Sequence, residues 1–150
     1  MYIVNMNTEQ FRQAKQFGDE LEKKIALTVI TRLHPNCTIT SPDDAGVYRE
    51  DQLAIPDHIV KQHGKIVAMY DSKHKGKRGQ RLYGNNDVFS CDEKVFQYRA
   101  MSAKYNAPCY LIFYNRNFDP KHVYIADVGV DPTYQRLVDN QYGKIMYGYH

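Results

Sequence analysis

The sequence predicts a three-layer α/β fold in which helices flank a mixed central β-sheet. Three observations support this prediction. A long segment near the start carries apolar residues at helical spacing, two short apolar strands follow it, and a second helical segment then leads into a further apolar strand. Helices and strands in this order usually pack as helices against a shared sheet. With 150 residues, the chain is the size of one domain, and we expect a single domain over residues 1–150.

The first helix is predicted from Thr8 to about Leu33. Thr8 suits the N-cap position, where its hydroxyl can accept a hydrogen bond from a free backbone N–H. Gly18 lies inside the helix, where it lowers helix stability, and this indicates a close approach of the backbone to a neighbour. The apolar residues at helical spacing are Phe11, Ala14, Phe17, Leu21, Ile25, Val29 and Leu33.

The remaining elements follow from local patterns. Residues 57–60 and 65–70 predict two strands joined by a turn that contains Gly64. A second helix is predicted to start in Ser90-Cys91-Asp92-Glu93 and to continue to Asn106, where the approach of Pro108 ends it. The apolar runs at 109–114 and 122–128 then predict two more buried strands.

Two acidic residues and a lysine at the predicted hairpin are the candidate active site. Side chains alternate along a strand, so Asp71 and Lys73 point to the same face, and Asp57 can reach it from across the hairpin. Carboxylates suit Mg²⁺, which takes oxygen ligands at about 2.1 Å and keeps several waters. Lys73 would orient or deprotonate the attacking water, or neutralise charge on a phosphate. The pattern predicts metal-assisted phosphodiester hydrolysis.

Ordinary structural roles explain the same residues and remain open at this point. An aspartate after proline is a common turn residue, and an Asp-x-Lys pair at a strand end can be a solvated surface pair. A second Pro-Asp pair, Pro42-Asp43, lacks a following apolar strand and predicts a simple turn. His58 and His63 flank the hairpin without cysteines or carboxylates at zinc-site spacing, so we interpret them as surface histidines.

The order of these elements resembles the PD-(D/E)xK nuclease superfamily. The resemblance rests on Gly18-x-x-x-Glu22, Ile55-Pro56-Asp57, Asp71-x-Lys73, and a helix feeding an apolar strand. It covers roughly residues 17–114 and is greatest to the archaeal-type Holliday junction resolvases. It implies a restriction-endonuclease-like core and an endonuclease that hydrolyses DNA.

The resemblance also implies roles for individual residues. Glu22, Asp57 and Asp71 correspond to ligands of Mg²⁺, for which Mn²⁺ can substitute, and Lys73 corresponds to the catalytic lysine. Lys94 or Gln97, on the second helix, occupies the auxiliary position of the family. Three features depart from the resolvase pattern. Asp71 stands where resolvases usually have glutamate, the loop before Ile55 is long, and the segment after Phe118 has no clear counterpart.

A basic segment begins at the proposed catalytic lysine. Beside a metal site, its cations would bind phosphates that flank the scissile bond, and we expect a DNA partner, with branched DNA as one candidate. A solvated loop that only maintains solubility is the alternative. The predicted nucleic-acid contacts are His74, Lys75, Lys77, Arg78 and Arg81.

Composition indicates an intracellular protein. The net charge of +3 is modest and only hints at an acidic partner. Cys37, Cys91 and Cys109 show no C-x-x-C spacing, so we expect reduced thiols. The first residues resemble no signal peptide, and no apolar run approaches the length of a membrane span. We therefore expect a cytoplasmic protein without a membrane partner.

The carboxyl-terminal segment is the least informative part of the sequence. Tyr142, Tyr147 and Tyr149 suit either stacking on bases or burial in a subunit interface, and Val128 and Val130 suit either an interface or the core. Paired DNA cuts need two sites, which predicts a homodimer with two-fold symmetry. Three classes of function remain open: a metal-dependent DNA endonuclease, which we favour, a non-catalytic nucleic-acid-binding domain, and an α/β interaction domain.

Overall fold

The fold is described from a computed structural model, for residues 8–47, 54–74, 82–84, 88–114, 123–139 and 144–150. No helix in these ranges is long and apolar enough to cross a membrane. In chain order, the described elements are α1 (Thr8–Leu33), β1 (Thr38–Thr40), β2 (His58–Gln62), β3 (Lys65–His74), β4 (Phe89–Cys91), α2 (Lys94–Tyr105), β5 (Cys109–Tyr114), β6 (Tyr124–Asp127), β7 (Tyr134–Asp139) and β8 (Lys144–Tyr149).

The described strands form two sheets. The larger sheet has five strands in the order β1-β2-β3-β5-β6, and the smaller has three in the order β4-β8-β7. In the larger sheet β3 and β5 run parallel, and their connection contains α2. Its other pairings are antiparallel, so the sheet is mixed.

Two helices cover opposite faces of the larger sheet. Ala26 and Ile30 of α1 pack in one apolar cluster with Ala68 and Tyr70 of β3. On the other face, a second cluster joins α2 and the smaller sheet to this sheet. It includes Val95, Tyr98 and Met101 of α2, Met69 of β3, Leu111 and Phe113 of β5, and Phe89, Cys91 and Tyr149 of the smaller sheet. The predicted three-layer α/β arrangement is confirmed.

The predicted helix α1 and the predicted hairpin are both confirmed. α1 spans Thr8–Leu33, as expected. In the turn, His63 has a φ of 52° and Gly64 a φ of 74°. Positive φ at both central residues is the requirement of the tight turn whose twist matches two antiparallel strands. β3 continues beyond the predicted end to His74, so Asp71 and Lys73 lie within it.

The start of α2 differs from the prediction. Ser90 and Cys91 belong to β4, and the helix begins only at Lys94. They pair with Gly148 and Tyr147 of β8, and this distant partner decides their conformation. The helix ends as expected before Pro108, with Asn106 in the left-handed conformation.

The carboxyl-terminal part also differs from the prediction. The predicted buried strand at 122–128 is the short edge strand β6, whose Tyr124 and Ile125 are 43% and 42% exposed. Val128 and Tyr149 lie in the core of the same chain, whereas Val130 is 60% exposed. Core packing thus accounts for two residues that the sequence left available for an interface. Tyr142 lies outside the described residues.

Gly148 marks a close approach between β8 and the segment that precedes β4. An added Cβ would lie 2.5 Å from Cγ1 of Val88 and 3.1 Å from Cε2 of Tyr83. Because Val88 is 1% exposed and short, it cannot move aside easily. We expect Gly148→Ala to lower the free energy of unfolding by about 1–3 kcal/mol. Chemical denaturation measures it, and Val88→Ala in the same chain should restore part of the loss. Unchanged stability in Gly148→Ala would contradict the close approach.

Candidate active site

Asp71 and Lys73 form an ion pair on the face of β3 that α2 covers. Oδ2 of Asp71 lies 2.8 Å from Nζ of Lys73. Asp71 is 4% exposed, while Lys73 is partly exposed. Strand alternation explains why they share this face, because Met69, Asp71 and Lys73 are at alternate positions. The predicted relation between these two residues is therefore present.

Asp57 meets Asp71 across the hairpin. His58 pairs with Tyr70 in the register of β2 and β3, so the preceding residue, Asp57, lies opposite Asp71. The backbone N–H of Asp57 donates a hydrogen bond of 3.3 Å to Oδ1 of Asp71. Pro56 is buried just before it, while Asp57 itself is exposed. Asp71 is thus buried, while Asp57 faces solvent.

Burial and the neighbouring carboxylate both perturb Asp57. Partial burial, the negative charge of Asp71 and a hydrogen bond with Asp71 raise the pKa of Asp57 from 3.8 to about 6, against the opposing charges of Lys73 and Lys94. The raised pKa means that this environment disfavours the ionised form of Asp57. A cation placed between the two acids would relieve this repulsion.

Lys73 is surrounded by acids. Burial by itself lowers the pKa of Lys73, but the charges of Asp71, Asp92 and Asp57 and a hydrogen bond to Asp71 raise it overall above its ordinary value. Its side chain therefore stays protonated at neutral pH. Asp92 also contacts the start of α2, where its Oδ1 accepts a 3.1 Å hydrogen bond from the backbone N–H of Lys94.

The two predicted auxiliary residues occupy different positions. Lys94 is exposed, and its positive charge acts on Asp57. Gln97 uses its Oε1 to accept a 2.6 Å hydrogen bond from the backbone N–H of Ala54. This bond ties α2 to the segment that leads into Pro56 and Asp57. Gln97 thus holds the backbone near the site.

Tyr98 of α2 also belongs to the site, although no role was predicted for it from the sequence. It is 3% exposed, and Nζ of Lys73 lies 5.7 Å from the centre of its ring. Burial, the charge of Asp71, a hydrogen bond with Asp71 and the charge of Asp57 raise the pKa of Tyr98 well above its ordinary value. A tyrosine on the buried face of a helix needs a hydrogen-bond partner, and that need is a signal that sequence reasoning could have used.

Glu22 does not join Asp57 and Asp71 in a group of three. It lies on α1, which packs on the other face of the sheet from the Asp71–Lys73 pair. Within the described ranges, no three His, Cys, Asp or Glu side chains are arranged to hold one metal ion. The role of Glu22 as a ligand stays a prediction without support from this geometry.

The remaining sequence predictions fall at the edges of the described structure. The basic segment lies outside the described residues: this holds for the side chain of His74 and for the whole of Lys75, Lys77, Arg78 and Arg81.

The two histidines of the hairpin differ from each other. His63 is exposed in the turn, as expected. His58 is partly buried rather than a simple surface residue, and burial lowers its pKa, opposed by the charge of Asp71 and assisted by that of Lys23.

The raised pKa of Asp57 predicts that Asp57→Asn stabilises the metal-free protein above pH 6. Because the pKa is about 6 in the folded chain and near 3.8 otherwise, the folded chain binds more protons between these pH values. Stability therefore falls as the pH rises through this window, and asparagine removes the loss. Solvent screening at an exposed residue limits the gain to about 1 kcal/mol or less. That corresponds to a rise in Tm of about 2–4 °C at most.

Thermal unfolding at pH 4 and pH 7.5 in EDTA measures this effect. Asp43→Asn is a matched control, because Asp43 is an exposed turn residue away from the site. The gain should appear at pH 7.5 in Asp57→Asn and be absent at pH 4. An equal shift in both variants would show that general charge, rather than the Asp57–Asp71 pair, is responsible.

Comparisons with known proteins give a similarity in structure. No protein-family model matches the chain. No curated protein matches it either. Among solved structures, the chain is similar to Hjc of Archaeoglobus fulgidus, a Holliday junction resolvase from an archaeal hyperthermophile, with 8% sequence identity and a TM-score of 0.45. The match covers 83% of this chain and 81% of that one. At this level, the similarity does not carry the assignment to the PD-(D/E)xK superfamily, which stays a prediction.

Proposed function

We propose that this protein is a divalent-metal-dependent endonuclease that hydrolyses phosphodiester bonds of DNA. The observation that carries the proposal is the position of Asp71. One carboxylate oxygen, Oδ2, lies 2.8 Å from Nζ of Lys73, and the other, Oδ1, lies 3.3 Å from the backbone nitrogen of Asp57. Two acids and a permanently charged lysine at one point suit the hydrolysis of a phosphate diester.

The residues present fit a magnesium or manganese ion. Mg²⁺ usually keeps several waters and binds proteins through one or two carboxylates, together with phosphates of the substrate. Asp57 and Asp71 supply two carboxylates, and burial together with the charge of Asp71 raises the pKa of Asp57 to about 6. These two residues would hold the ion. When bound, it would supply Lewis-acid polarisation of a phosphoryl oxygen and acidification of water.

Lys73 would act as a charge partner rather than as a base. The nearby acids keep its pKa above the ordinary value, so it carries a proton that it does not give up at neutral pH. During hydrolysis, the water oxygen forms a bond to phosphorus while the bond from phosphorus to the leaving oxygen breaks, and the proton that the water loses is balanced by one that the leaving oxygen takes from solvent. Negative charge grows on the phosphoryl oxygens, and a fixed ammonium stabilises it. The structure thus favours one of the roles that the sequence left open for this lysine.

The substrate and the assembly belong to the same proposal. The basic segment from His74 to Arg81 follows directly on Lys73 in the sequence, which supports contact with phosphates that flank the scissile bond. Branched DNA, such as a four-way junction, is the substrate that the sequence resemblance suggests. We also propose a homodimer with two-fold symmetry, because each chain carries one set of Asp57, Asp71 and Lys73 and paired cuts need two.

Cleavage of matched DNA substrates tests the proposal. We expect a four-way junction, a linear duplex or a single strand to be cut with Mg²⁺ or Mn²⁺. Ca²⁺ should support binding but little cleavage, since its looser coordination orients water poorly. RNA of the same sequence serves as the comparison substrate. Full activity in EDTA would exclude the metal-dependent mechanism, and tight DNA binding without cleavage in any metal would favour the non-catalytic alternative.

A further inference from the structure

Of the two tyrosines in α2, Tyr98 is buried, with 3% of its surface exposed. Its neighbours on the buried face of the helix, Val95 and Met101, are apolar and 1% exposed each. The pattern of the helix would therefore be satisfied by phenylalanine at position 98. A buried hydroxyl is costly unless it makes a hydrogen bond, so a tyrosine here needs a reason.

The reason lies in the contacts of the side chain with both members of the ion pair. The ring lies beside the ammonium of Lys73, at 5.7 Å from its centre, within the range of a cation–π contact. Burial, the charge of Asp71 and a hydrogen bond with Asp71 raise the pKa of Tyr98, so the hydroxyl faces this carboxylate. An ionised carboxylate can only accept, so Tyr98 is the donor.

We infer that Tyr98 is a positioning residue, which holds the carboxylate of Asp71 and the ammonium of Lys73 in a fixed relation through its hydroxyl and its ring. The inference rests on the proposed function, since it concerns the same site. Asp71 would otherwise be held by Lys73 and by the backbone of Asp57. Carboxylates that bind metals depend on such supporting hydrogen bonds for their orientation.

The chain provides a matched control on the same helix. Tyr105 also lies beside a lysine, because Nζ of Lys104 is 5.5 Å from the centre of its ring. It is partly buried near the end of α2, two turns away from Tyr98 along the helix. Tyr98→Phe and Tyr105→Phe each remove one hydroxyl next to a lysine, but only the first removes it from the site.

The experiment measures both variants in three ways. Paramagnetic resonance of free Mn²⁺ gives the dissociation constant of the metal without DNA, single-turnover kinetics with Mg²⁺ give the cleavage rate, and thermal unfolding gives stability. For Tyr98→Phe we expect Mn²⁺ binding about tenfold weaker and a cleavage rate about tenfold lower, with DNA affinity in Ca²⁺ unchanged. Tyr98→Leu, which also removes the ring, should lower the rate further. Tyr105→Phe should match the wild type.

The outcomes separate this inference from the proposed function. If the wild type binds Mn²⁺ and cleaves DNA while the two phenylalanine variants behave alike, the inference is wrong and the proposed function stands. If Mn²⁺ binding and cleavage by Tyr98→Phe fall only in proportion to the fraction of the variant that is unfolded, the role of Tyr98 is purely structural, and the inference is also wrong. If the wild type neither binds Mn²⁺ nor cleaves any substrate, both fail.

Discussion

Asp71→Asn is expected to lower the cleavage rate about 100- to 1,000-fold, because it removes the buried charge on which both the metal and Lys73 depend. Asparagine has nearly the same shape, and its side-chain oxygen can still accept the hydrogen bond from the backbone of Asp57. The loss of the ion pair with Lys73 is offset in part by the loss of repulsion with Asp57. We therefore expect the fold to survive, with a large effect on activity and a small one on stability.

Single-turnover cleavage of the preferred DNA, together with Mn²⁺ binding, tests this expectation. Asp131→Asn is a matched control, because Oδ1 of Asp131 also lies 2.8 Å from a cation, the guanidinium of Arg99. Asp131 is exposed, and its ion pair is outside the site. The control should keep full activity. Normal cleavage by Asp71→Asn would remove Asp71 from the mechanism and with it the main support for the proposed function.

Lys73→Ala is expected to lower the single-turnover rate about 100-fold while DNA affinity changes little. The reason is that its ammonium acts mainly on charge that develops in the transition state, and such an interaction affects the rate more than ground-state binding. Because its pKa lies above the ordinary lysine value, its protonation does not change between pH 6 and pH 9. If the cleavage rate of the wild type changes between pH 6 and pH 9, the same change should therefore appear in Lys73→Ala.

Basic residues further along the chain should behave in the opposite way. Lys75→Gln and Lys77→Gln are expected to weaken DNA binding and to reduce the salt dependence of the binding constant by about one counterion each, with little effect on the saturated cleavage rate. Binding titrations at several salt concentrations measure this. If these variants and Lys73→Ala had the same phenotype, Lys73 would be one more phosphate contact rather than a catalytic residue.

Local patterns predicted the centre of the site because its geometry is local. Asp57 and Asp71 are brought together by one hairpin, and the alternation of strand residues places Asp71 and Lys73 on one face. The spacing of residues along a strand and a turn that contains glycine can both be recognised from the sequence alone. The same reasoning predicted α1 in full, because its apolar residues keep one period over the 26 residues of the helix.

The parts that the sequence did not predict depend on distant partners. Ser90 and Cys91 are followed by a strong helical pattern, but they pair with Gly148 and Tyr147 in a strand that starts more than 50 residues later. Periodicity gives no information about such pairings.

The same limit applies to the side of the sheet on which a helix packs. Periodicity shows that α1 has an apolar face, but not which face of the sheet it covers. The role of Tyr98 likewise depends on the docking of α2 against β3.

The alternation along β3 has a consequence for how this protein can change over time. From Ala68 onward, odd-numbered positions of the strand face α2 and carry Asp71 and Lys73, while the even-numbered Ala68 and Tyr70 face α1. Before Ala68, a register shift against β2 reverses this alternation. Loss or gain of one residue between Ala68 and Asp71 would turn the acid and the lysine together toward α1 and into an apolar layer. Among related sequences, the spacing from Ala68 to Lys73 should therefore vary less than the residues within it.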